Sequence, residues 1–179
     1  MSVLAPTFPE LVAEASQIVR ARVTEVVSRK VPGPQGEVIK TFVTFEVTSA
    51  LKAPERSDRI TLEFLGGNVG DEGLVVPGMP SFEAGAEEFL FVTADKTICP
   101  LVGAMHGRYH VFTAQKDGRA YVARDDGSAL VRVSDVTLPM AKGHAALTLP
   151  GGDSALTPES FEQLIAAEIA RQTPASTQR

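Results

Sequence analysis

IVRARVTEVV (residues 18–27), followed by IKTFVTFEVTSAL (residues 39–51), decides the fold class. In the first stretch Val19, Ala21 and Val23 alternate with Arg20, Arg22 and Thr24, a period of two that puts one strand face in a core and the other in water. In the second, Ile39, Val43, Phe45, Val47 and Leu51 fall on one face, with Lys40, Thr44, Glu46 and Thr48 on the other. Phe42 breaks this pattern and is assigned to a second small core. KVPGPQGE (30–37) lies between the two strands, and its two prolines and two glycines read as a break.

Working outward, RITLEFL (59–65) supplies a third strand with Ile60, Leu62 and Phe64 aligned. EEFLFV (87–92) is nearly continuous in apolar residues and reads as a central strand. CPLVG (99–103) and GRYHVF (107–112) read as one strand bent near Gly103 to Gly107. The chain from 107 to 133 then reads as a meander turning at Asp117-Gly118 and Asp126-Gly127. Upstream, Thr7 caps a short helix carrying Leu11, Val12 and Ala15. Downstream, Thr157 and Pro158 open a second helix with Phe161, Leu164, Ile165 and Ile169 on one face, followed by a frayed tail, PASTQR. The expected core is Val43, Phe45, Val47, Leu62, Phe64, Phe89, Leu90 and Phe91 around one barrel. The fold class is therefore mainly β: a small closed or partly open OB-like barrel of five to six strands, with an N-terminal and a C-terminal helix packed outside. Residues 1–150 form the barrel domain, and 151–179 a linker and terminal helix.

The 179 residues suffice for a core without staples, and 44% hydrophobic with 22% charged is an ordinary globular balance. A net charge of -5 without a basic cluster argues against nucleic acid as a partner. One cysteine, Cys99, excludes an intrachain disulfide, and no apolar run is long enough to span a membrane. The start, MSVLAPTFPELV, has no basic region followed by an apolar stretch, so no signal peptide is expected.

The order TFPELVAEASQIVRARVTEV (7–26), TFVTFEVTSALKAPERSDRITLEFLGG (41–67) and FEAGAEEFLFV (82–92) resembles a group of uncharacterised exported bacterial proteins. It is similar to the netrin-like module of the tissue inhibitors of metalloproteinases. That resemblance implies an OB-type barrel, an extracellular or periplasmic location and a protein or peptide partner such as a secreted metalloprotease. In those inhibitors an amino-terminal cysteine chelates the protease zinc. Residues 1–8 contain none here, so that mechanism is not carried over.

GGNVGDEG (66–73) lacks the following helix that a phosphate loop needs, because VVPGMP comes next. His106 and His110, four apart, are expected on one face of a strand, and a metal site would need a further ligand such as Asp95, Asp117 or His144. They read as ordinary strand histidines, with no metal and no cofactor. Cys99 lies between Ile98 and Pro100-Leu101, an apolar setting for a buried thiol rather than a nucleophile. Glu83, Glu87 and Glu88 with Asp71 and Glu72 read as a solvated acidic edge. No catalytic set emerges.

The most informative surface is the connection GGNVGDEGLVVPGMPSFEAG (66–85), too long and too apolar for a plain linker. Leu74, Val75, Val76, Met79 and Phe82 either plug one barrel end or form part of a partner-binding rim, joined by Leu4 and Phe8 at the amino-terminal edge. The leading expectation is a non-catalytic protein- or peptide-binding module. A self-associating assembly subunit and an unrecognised hydrolase are the alternatives.

Overall fold

The computed structural model describes residues 5–94, 98–140 and 154–173. The sheet strands are β1 (Gln17–Gly33), β2 (Gly36–Lys52), β3 (Arg59–Leu65), β6 (Glu87–Val92), β7 (Arg108–Thr113) and β8 (Ala120–Arg124). They form one antiparallel sheet in the order β3-β2-β1-β6-β7-β8. β4 (Gly67–Val69) and β5 (Glu72–Leu74) make a separate two-stranded hairpin. Helices α1 (Phe8–Glu14) and α2 (Pro158–Gln172) complete the element list, with short 3-10 helices at Ala104–Gly107 and Val133–Thr137. No helix among the described residues is long and apolar enough to cross a membrane.

The helix starts follow from their caps. Thr7 Oγ1 accepts from the Glu10 amide, while Glu10 Oε2 accepts from the Thr7 amide at 2.8 Å, a reciprocal box that opens α1. Thr157 Oγ1 accepts from the Ser160 amide in the same way at α2.

KVPGPQGE does not end the first strand. β1 and β2 stay paired out to Gly33↔Gly36 and form a long two-stranded arm. Pro32 is tolerated there because β6 pairs only with Gln17 to Arg22, so the outer flank of β1 has no neighbour expecting an N–H. Two register shifts near the base of the arm leave Leu51 and Thr48 as bulged residues on β2. The bulge turns Leu51 toward the helices, whereas Val47 stays on the opposite face. Phe42 covers no second core. It lies on the arm surface under the Arg29 guanidinium, 4.1 Å from the ring centroid.

The expected single core is divided by the sheet. Phe89 and Phe91 face α1 and α2 and pack with Leu11, Val12, Tyr109, Phe161 and Ile165. Leu90 points the other way, to Val19, Val23, Val43, Phe45, Leu62 and Phe64. Helix α2 is therefore a core element rather than an outer cover, since Phe161 and Ile165 are fully buried.

The second face is concave. The Phe82 ring lies 4.8 Å from the Phe64 ring of β3 and 4.2 Å from the Arg108 guanidinium of β7. A flat sheet would hold strands four places apart at roughly 19 Å, so the sheet must curl around this one ring. It does not close: among the described residues no ladder joins β3 to β7 or β8. Instead of closing, the chain leaves β3 at Gly66 to fill the concave face, and β8 extends the sheet beyond β7. Hydrogen bonds from Leu65 to Ile98 and from Thr93 to Pro100 stitch one end across the gap.

Two other expectations change. The stretch before β7 is a 3-10 helix rather than one bent strand, with only Leu101 bridged to Val92. After Asp126-Gly127 the meander gains no third strand. Ala129 bridges singly to Ala123, and the chain then coils into the helix at Val133–Thr137.

Candidate functional site

The 66–85 connection is built from turns that its glycines and prolines dictate. Gly67, at φ +127°, lies against the Ser28–Thr41 hydroxyl pair, which is 2.9 Å apart; Thr41 Oγ1 also donates to the Gly66 carbonyl at 2.8 Å. A Cβ at Gly67 would overlap both hydroxyl oxygens. Gly67→Ala is therefore expected to cost about 1–3 kcal/mol, from backbone strain plus the forced displacement of two side chains. A urea melt unchanged within error would show that the hairpin is not seated on the arm.

Beyond β5, Val76-Pro77-Gly78-Met79 forms a turn with proline second and Gly78 at φ +83°, closed by the Met79 amide on the Val76 carbonyl at 3.2 Å. That turn sends Met79 and Phe82 back toward the sheet. Phe82 meets Phe45 edge-on at 5.5 Å and caps the concave core, with Met79 packed beside it. Gly85 and Ala86 then tie the segment to Val23 of β1 through paired backbone hydrogen bonds.

The result is a cleft of about 360 Å³ between this segment, the end of β3 and the arm. Leu74, Val75, Val76, Met79 and Phe82 all line it, so the structure brings the five loop residues singled out from the sequence into one place. Met79 and Phe82 are partly buried in the core beneath, and Val75 is 87% exposed at the rim. Phe8 does not join them: it is buried on the other face, its ring 6.1 Å from Phe161. Leu4 lies outside the described residues. Sequence reading missed the far wall, Val26 and Phe64, and the hydroxyl floor of Ser28 and Thr41. Ser28 and Thr41 share a strand face with core residues, which is the one signal they carry.

Behind Phe82 lies a buried ionic cluster. Glu88 is fully buried and accepts from Arg108 Nε at 3.2 Å and from Arg108 Nη2 at 2.9 Å. Arg108 Nη1 donates to Asp125 Oδ1 at 3.1 Å, and His110 Nδ1 lies 3.2 Å from Glu88 Oε2. Burial pushes the Glu88 carboxyl up, but the hydrogen bond from His110 and the bidentate guanidinium together outweigh it and hold the carboxyl below its usual range. At Asp125 burial wins over Arg108 and His110, and the carboxyl lies above its usual range.

The solvated acidic edge holds for Asp71, Glu72 and Glu83, which are exposed, and is corrected for Glu87 and Glu88. Glu88 is inside because β7 delivers a guanidinium to it, and Glu87 pairs with Arg20 at 2.6 Å. Glu72 pairs with Lys30 at 2.8 Å. The two histidines do not share a strand face either. His106 sits in the 3-10 helix, its buried Nδ1 without a hydrogen-bond partner among the described residues, and its imidazole is pushed down by burial and by Arg124. Asp117 instead accepts from the Arg119 amide in a turn, and Asp95 and His144 lie outside the described residues. Among the described residues no three His, Cys, Asp or Glu side chains converge to hold a metal ion. Cys99 is partly buried, and burial pushes its thiol up.

No family model matches the chain, and no curated protein matches it.

Proposed function

We propose that this chain is a non-catalytic binding module that receives a protein or peptide partner at the cleft between the arm and the 66–85 segment. The observation that carries this reading is the convergence of Leu74, Val75, Val76, Met79 and Phe82 on one cleft, with Val75 exposed at its rim. A large exposed aliphatic side chain beside an apolar cleft, on a segment whose ends are pinned to a sheet, suits recognition at low ordering cost. We read the curled sheet as a partly open OB-like barrel. The support is the order β3-β2-β1-β6-β7, in which the long β1 serves both halves. On this reading the module is exported and netrin-like, and its partner is a protein such as a secreted metalloprotease. The burial of Phe8 on the helix side leaves the cleft, rather than the amino-terminal edge, as the recognition surface.

The test is capture of partner from the native secretome by the wild-type chain and by Val75→Asp. Capture is expected to fall at least tenfold in the variant, while stability stays within about 0.5 kcal/mol, as for an exposed position. Equal capture by the two proteins would defeat the reading. Self-association is the second reading, favoured by Val27, 39% exposed on the arm face away from the cleft. Light scattering of wild type against Val27→Asp separates it from the first.

A further inference from the structure

Resting on the cleft reading above, we infer that the partner segment presents uncharged apolar side chains flanked by lysine or arginine. Among the described residues no ionisable side chain lines the cleft, so a charged group entering it would lose its water and find no counter-ion. The hydroxyls of the floor are already engaged, Ser28 with Thr41 and Thr41 with the Gly66 carbonyl. Asn68 and Ser81 are exposed polar side chains of the lining, and the rest of its side chains are apolar, so apolar contact is the main source of affinity. A volume of about 360 Å³ matches a few side chains rather than a folded element.

The segments that border the cleft carry carboxylates just outside its lining. Glu83 follows Phe82 directly in the chain, and Asp71 sits in the turn between β4 and β5. Both are exposed, and neither pairs with a basic side chain among the described residues. Lys30, the cation reaching over to β5, is neutralised by Glu72. Arg29, next to Ser28 in β1, stacks on Phe42 on the other face of the arm, so the segments on the cleft side carry net negative charge, on a chain whose overall charge is -5. Such a border attracts cationic flanks and repels acidic ones, and salt weakens both effects because the carboxylates are solvated.

Three capped tetrapeptides, KLLK, ELLE and KSSK, test this by titration against the methyl resonances of Val75, Val76 and Met79. KLLK is expected to shift them, with ELLE roughly tenfold weaker at about 20 mM salt. The gap is expected to close at about 0.5 M salt, and also in the double variant Asp71→Asn/Glu83→Gln. ELLE binding as tightly as KLLK would overturn the basic-flank inference and leave the cleft reading standing. KSSK binding as tightly as KLLK, or no peptide shifting these methyls at millimolar concentration, would overturn the cleft reading and this inference with it.

Discussion

Glu88→Ala is expected to lower the stability of the fold by about 3–5 kcal/mol, the usual cost of removing one partner of a buried ion pair. The reason lies in what remains. Arg108 is almost entirely buried, and without Glu88 it keeps one hydrogen bond, to Asp125, and the face of Phe82. The cost is expected to spread to the 66–85 segment, because the Arg108 guanidinium stacks on the Phe82 ring that also packs on Phe45 and Phe64. The triple change Glu88→Leu/Arg108→Met/Asp125→Asn is expected to recover most of the loss, since it removes the guanidinium together with both carboxylates that it pairs with.

The pH dependence has a definite sign. Glu88 titrates below its unfolded value, so its contribution is fully present above the unfolded pKa and is lost as pH falls through the folded one. Asp125 titrates above its unfolded value and acts in the opposite sense, so Asp125→Asn is expected to hold or raise stability at neutral pH. Urea melts at pH 7 and pH 4 check both. A loss below 1 kcal/mol for Glu88→Ala, or a large loss for Asp125→Asn, would contradict the assigned roles.

Phe161→Ala is expected to cost about 3–5 kcal/mol, as large as any single core truncation in this chain. Its ring is fully buried and lies 5.0 Å from Phe89, 5.3 Å from Tyr109 and 6.1 Å from Phe8. It therefore joins β6, β7, α1 and α2 in one cluster, and the small side chain would leave a cavity that four elements cannot close together. Leu164→Ala on the same helix provides the control. Leu164 is 38% exposed, and its truncation is expected to cost less than about 1 kcal/mol. Equal effects from the two substitutions would mean that α2 is held by its general amphipathicity rather than by the aromatic cluster. A small effect from Phe161→Ala would return the helix to the outside of the fold.

The loop between Gly66 and Gly85 was legible as an unusual segment because plain connections seldom carry so many apolar residues. Its dual use was not legible. Met79 and Phe82 face the core and Val75 faces water, because the turn at Pro77-Gly78 separates them, and that division depends on where the chain re-enters against β1. Phe8 was grouped with these residues from the amino-terminal edge of a resembling module. The box formed by Thr7 and Glu10 instead starts a helix that buries it beside Phe161.

By itself the sequence determined the alternating strands β1, β2 and β3, both helix starts and the turns at Asp117-Gly118 and Asp126-Gly127, because each depends on residues a few positions apart. It also determined most of the buried set: Val43, Phe45, Leu62, Phe64, Phe89, Leu90 and Phe91 are all inside. Only the tertiary structure decided that these residues serve two cores, that the sheet curls around Phe82 without closing, and that Glu88 is buried. Alternation says which residues share a face, but not which strand lies alongside or which face the helices cover. A carboxylate in a strand is at home in water or beside a guanidinium, and the guanidinium here comes from Arg108, 20 residues further along the chain. That pairing exists only once β6 and β7 are in register.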